Sequence, residues 1–98
     1  MCSSDLILRY RKPLEEVLQH VDAHRAYCQG LKLEKLLIAS GPLVPRCGGA
    51  MLLRVPDDEA QATLDSIRDN DPYTRFGVAQ YEVWPWAPAF GAEDLDRL

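Results

Sequence analysis

The sequence predicts an α+β domain in the order β-α-β-β-α-β, built on one antiparallel sheet. Three observations carry this. Residues 5–11 alternate with period two, and in 50–55 Met51, Leu53 and Val55 lie opposite Leu52 and Arg54, the pattern of a strand with one face turned to a core. Two proline-led segments, from Pro13 and from Pro56, repeat apolar residues at helical spacing. Residues 78–86 close the pattern with an aromatic and β-branched run: Tyr81, Val83, Trp84 and Trp86.

In the first strand Leu6, Leu8 and Tyr10 face one way, and Ile7, Arg9 and Arg11 the other. Pro13 opens the first helix where a missing N–H costs nothing, and Glu15 and Glu16 complement the positive end of its dipole. Leu14, Val17, Leu18, Val21 and Cys28 form its apolar stripe, and Gly30 is a stop or a kink. Leu36–Ala39 reads as a short buried strand that ends in a turn at Ser40-Gly41-Pro42. Two prolines and two glycines make residues 42–49 a loop. The next strand is Ala50–Val55.

Pro56-Asp57-Asp58-Glu59 starts the second helix with acidic first-turn residues. Ala60, Thr63, Leu64 and Ile67 are its inward face. Asp71 before Pro72 is the cap of a further short turn or helix. In the closing strand, Pro85 and Pro88 suit a sheet edge. The domain is expected over residues 5–88, with a polar tail at 89–98 that packs on a neighbour. This order is the split βαβ, ferredoxin-like unit. It puts both helices on one face of the sheet and leaves the other to solvent or a partner. Ile7, Ile38 or Leu37, Leu52 and the two tryptophans make that face apolar. A homodimer packed sheet to sheet, closing a barrel-like core, is therefore expected.

Size and charge bound the function. A chain of 98 residues is one domain that buries only about 60% of its unfolded surface, so association would add stability. It is 47% hydrophobic and 27% charged, with a net charge of −4 and a pI of about 5.0. Nothing in that balance attracts a phosphate backbone, and the basic residues are scattered, so neither nucleic acid nor an anionic membrane is an expected partner. Met1-Cys2-Ser3-Ser4-Asp5 lacks the pattern of a signal peptide, and no stretch nears the ~20 apolar residues of a membrane span. Cys2, Cys28 and Cys47 are widely and irregularly spaced. They read as reduced thiols of a cytoplasmic protein rather than a disulfide framework.

Three segments are candidates for chemistry. His24 lies at the edge of the first helix's apolar stripe, and Asp71 at a helix start. Brought together they would form an acid/base pair. Each also has a plain structural reading: His24 as a core histidine satisfied by a carbonyl, Asp71 as a cap. Ser40-Gly41-Pro42 is a tight turn, or a hydroxyl and an amide that hold a substrate oxygen. Tyr10, Tyr27, Tyr73 and Trp84 are candidate walls of an aromatic pocket. His20, His24 and Cys28 recur every four residues, but the third is displaced by the helix drift and nothing completes a metal site. Neither a metal nor a cofactor is expected. Arg9 and Arg54 sit on the open face, paired with Glu82 or carbonyls, or holding a small anion. Cys47, beside Arg46, is the thiol most inclined to react, but no base lies near it in sequence.

The chain resembles the YCII-related proteins, small bacterial domains that form dimeric α/β barrels. The resemblance covers roughly residues 5–88. It rests on the strand and helix leading to His24, on Ser40-Gly41-Pro42 before an apolar strand, and on Asn70-Asp71-Pro72-Tyr73 before the closing strand. It implies a dimer and a histidine–aspartate pair at His24 and Asp71, with Ser40, Gly41, Pro42 and Tyr73 around a small-molecule substrate. Most members have no known activity. One relative removes chloride from a chlorinated hydroxyquinol, and the similar muconolactone isomerases act on ring lactones. The functions left open are a proton-transfer enzyme of small ring-derived metabolites, a non-catalytic ligand-binding or regulatory module, and a plain dimerisation domain.

Overall fold

The computed structural model describes residues 2–97; the side chains of residues 2–5, 57 and 96 lie outside this description, Cys2 and Asp57 among them, as do Met1 and Leu98 entirely. The strands are β1 (Cys2–Tyr10), β2 (Leu37–Pro42), β3 (Gly48–Val55) and β4 (Ala79–Trp86). They form one antiparallel sheet in the order β2-β3-β1-β4. The helices are α1 (Leu14–Leu18), α2 (Val21–Leu33), α3 (Ala60–Asn70), α4 (Pro72–Arg75) and α5 (Ala92–Asp96), with a 3-10 turn at Asp57–Glu59. This is the ferredoxin-like α+β order that the alternation and the helical stripes predict.

The core lies between the sheet and the helices. Leu6 and Leu8 of β1, and Met51, Leu53 and Val55 of β3, pack against Val17, Cys28, Leu31, Leu64 and Ile67. Strand alternation puts Ile7, Leu52, Glu82 and Trp84 on the opposite face, where Trp84 is 60% exposed. There Arg9 pairs with Glu82 at 3.2 Å. Arg54 donates to the carbonyl of Leu95 at 2.8 Å, so the tail helix α5 contacts its own sheet. Arg9 stands opposite Gly48 and Arg54 opposite Ser3, at opposite ends of the β1–β3 pair, so this chain does not bring the two together around one anion.

Several elements differ from the sequence reading. The single first helix is two, broken at Gln19 and His20, and Leu14 and Leu18 remain 40% and 44% exposed, leaving Val17 as the buried anchor of α1. Gly30 neither stops nor kinks α2, which runs on to Leu33. Its stop is Lys35, in the left-handed conformation at φ 64°. The Leu36 amide bonds the Leu31 carbonyl and the Lys35 amide that of Lys32, the paired bonds that close a helix C-terminus. Ser40-Gly41-Pro42 is no turn. It continues β2 along the sheet edge, pairing with Met51, Ala50 and Gly49. Of β2 only Leu37 is buried. An edge strand has one neighbour, so Pro42 sits there at no cost in ladder bonds.

Gly48 and Gly49 belong to β3, and a side chain at Gly48 would stand 2.0 Å from the Leu8 carbonyl oxygen. They are glycines because two backbones meet there, and the loop contracts to residues 43–47. At the far side of the core Gly77 takes φ 68°, and the Val78 amide reaches back to the Tyr73 carbonyl, turning α4 directly into β4.

Candidate active site

Asp71 begins the site. It ends α3 and caps α4, accepting the Tyr73 amide on Oδ1 at 2.9 Å with Pro72 at the first helical position. This cap is buried: Asp71 is 1% exposed beneath the sheet's inner face. A buried carboxylate must be saturated with donors. His24 Nδ1 lies 2.9 Å from the same Oδ1, and the Tyr81 hydroxyl of β4 donates to Oδ2. Helix α2, the start of α4 and strand β4 thus converge on one side chain.

The imidazole is fixed on its other sides as well. Its ring stacks on Tyr73 with centroids 4.0 Å apart and planes 6° from parallel, and Tyr10 meets Tyr73 edge-on at 6.2 Å. Cys28 Sγ, one helical turn along α2, lies 3.5 Å from Nε2. Burial works against the imidazolium, but the bonds and charge of Asp71, with help from Cys28, outweigh it and raise His24 to about 9. Hydrogen bonding to Asp71 assigns the proton of Nδ1 and leaves Nε2 as the exchangeable position. Burial first, and then the Asp71 charge and bond, push the Tyr81 phenol upward, so it stays a donor. Burial and the neighbouring Tyr10 raise Tyr73 to about 12.

His24, Cys28 and Tyr73 line a cleft of about 540 Å³. Leu8 and Met51 line it as well, as do Ser40, Gly41 and Pro42 of the β2 edge. A volume of this order suits a small ligand. Of the six candidate residues, His24, Tyr73, Ser40, Gly41 and Pro42 line the cleft, and Asp71 joins them through its bond to His24. Tyr27 is absent from it, because its hydroxyl bonds the Ile67 carbonyl on the far side of α2. Trp84 is absent because strand alternation turns it to the open face.

The histidines do not converge on a metal. His20 ends the turn before α2 and stacks on Phe76 at 4.1 Å, away from His24. Among the described residues no three His, Cys, Asp or Glu side chains are grouped to hold a metal ion. Cys47 is exposed. Tyr81 and Cys28 belong to the site as well, and the sequence does not by itself link them to the pair. Alternation places Tyr81 inward and i,i+4 spacing places Cys28 beside His24, but only the folded chain shows that both meet the same site.

Comparison with known proteins bears on this arrangement. A family described as "YCII-related domain" matches residues 5–87. No curated protein matches the chain. Among solved structures, the chain is similar to 5-chloro-2-hydroxyhydroquinone dehydrochlorinase from Burkholderia phenoliruptrix AC1100, in complex with 2,5-dihydroxybenzoquinone. That likeness has a TM-score of 0.70 at 23% identity and covers 88% of this chain and 95% of the other. It concerns the fold.

Proposed function

The chain belongs to the YCII-related family, and from that premise we propose that it is a small-molecule enzyme in which His24, held by Asp71, moves a proton on a ring-derived metabolite during elimination or isomerisation. One observation carries the reading: a buried carboxylate holds Nδ1 of an imidazole at 2.9 Å at the wall of a cleft sized for a small ligand. Asp71 and the Tyr73 stack keep the ring in one orientation, so that Nε2 meets the substrate without reorganisation.

With a pKa of about 9 the resting imidazole is protonated at neutral pH. The first step is then donation from Nε2 to a substrate oxygen or leaving group. The neutral ring that results can take a proton back from carbon or from water. Asp71 retains its bond to the Nδ1 proton throughout and balances the charge. Ser40 and Tyr73 offer hydroxyl groups that position the substrate. The proposal includes a homodimer packed through the open sheet face.

A second reading has one observation in its favour. Nε2 already has Cys28 Sγ at 3.5 Å, an arrangement that suits a module binding a stable compound without converting it. Turnover separates the two. Halogenated hydroxyquinols and ring lactones are the first substrates to assay, with chloride release and product mass as readouts. His24→Ala is expected to lose about 10²–10⁴-fold in rate while keeping the parent's circular dichroism. Parent activity, where found, should fall as pH rises through about 9, since the acid form is then lost. A folded His24→Ala protein that turns substrate over at the parent rate would remove the histidine from the chemistry. Saturable binding by the parent with no change in ligand mass would establish the binding module.

A further inference from the structure

The cleft has a charge that the whole chain does not. The protein carries fifteen acidic residues against eleven basic ones, yet among the described residues no aspartate or glutamate lines the cleft, whereas Arg25, Lys32 and Arg46 all do. The His24–Asp71 pair is neutral as a unit, so these three cations leave the cleft net positive. Lys32 is held at the rim by the Ile38 carbonyl, 3.2 Å from its ammonium, a bond that does not offset its charge. Arg25 and Arg46 form no ion pair with a described carboxylate. They come from different elements, α2 and the loop after β2, and both line the cleft together with Tyr73. The lining also includes apolar and aromatic side chains, Leu8, Met51 and Tyr10.

Two arginines on the lining of a cleft with no described carboxylate match a planar carboxylate better than they match a neutral group, because each guanidinium offers a fork of N–H donors. We infer that the ligand of this cleft is a flat ring bearing a carboxylate, with the carboxylate between Arg25 and Arg46 near the Tyr73 hydroxyl and the ring against Leu8, Met51 and Tyr10. The inference rests on the cleft being the ligand site of the proposed function. It specifies the ligand's charge and which end lies toward the arginines. Low-dielectric walls lined by one sign of charge focus the field and favour entry of that anion over neutral rings of the same shape.

The test needs no turnover. Benzoate and its neutral counterpart benzamide are titrated into the full chain at neutral pH, with saturable amide shifts of α2, the β2–β3 loop and Tyr73 followed by NMR. Benzoate is expected to bind about tenfold tighter than benzamide, and to weaken as salt is added. Arg25→Gln and Arg46→Gln should each weaken benzoate about threefold, and the double variant about tenfold, with benzamide unchanged. Equal binding of the two probes, an unchanged affinity in the double variant, or no saturable shift from benzoate at the cleft would each overturn the inference. Tight, arginine-dependent benzoate binding in a protein whose turnover ignores His24 would leave the anion site standing and refute only the catalytic proposal.

Discussion

At Asp71, one carboxylate oxygen serves both the α4 cap and the imidazole, while the other takes the Tyr81 hydroxyl. Burial alone would drive His24 toward its neutral form; a carboxylate held in place by two further donors reverses that. The consequence for stability has a definite sign. The folded pKa of His24, about 9, lies above its ordinary 6.5, so the folded state binds the proton more tightly than the unfolded one. The stabilisation is complete below pH 6.5 and is lost as pH rises through 9. A shift of this size corresponds to on the order of 3 kcal/mol. Urea midpoints measured from pH 6 to 10 should fall across that window in the parent. In His24→Gln, which cannot titrate there, the fall should be much smaller. An equal fall in both proteins would assign the pH dependence to other groups.

At the scale of elements, the close approach of β1 and β3 decides the shape of the cleft's end. A Cβ at Gly48 would meet the Leu8 carbonyl at 2.0 Å, so Gly48→Ala must push the two strands apart. The expected loss is about 1–3 kcal/mol, read as a lower urea midpoint with an unchanged slope. An alanine variant as stable as the parent would show that the strands separate there at little cost. The β2 edge strand and the α2 C-terminus illustrate how local chemistry misleads. Ser-Gly-Pro has turn composition, yet pairing with β3 extends the strand through it. Gly30 has the composition of a helix stop, yet α2 runs through it and the chain stops instead at Lys35.

For the whole molecule, the open sheet face sets the partner question. Ile7, Leu52 and Trp84 lie on the side away from the core, and Trp84 is 60% exposed. A helix on each face would have covered these side chains, but this order puts α2 and α3 on the same face. The proposed sheet-to-sheet homodimer predicts a sedimenting mass of twice 11.1 kDa for the parent. Placing a charge in that face with Trp84→Lys should shift the protein to monomer at micromolar concentration, because burying an unpaired ammonium is costly. A parent that sediments as a monomer, or a Trp84→Lys dimer as tight as the parent's, would count against this face as the interface.

The sequence by itself determined the strand and helix order, the inward set Leu6, Leu8, Met51, Leu53, Val55, Leu64 and Ile67, and the Asp71 cap. Each follows from a period or a local preference that acts within a few residues. It also marked His24 and Ser40-Gly41-Pro42 as candidates by position and composition, and a family resemblance added Tyr73 as a substrate contact. Only the tertiary structure decided that His24 and Asp71, separated by 47 positions, share a hydrogen bond, that Tyr81 completes the carboxylate's donors, and that Trp84 and Tyr27 stand away from the cleft. The reason is physical: hydrogen bonds between distant residues, and the sign of charge inside a cleft, depend on which elements the core brings together, and no local pattern records that.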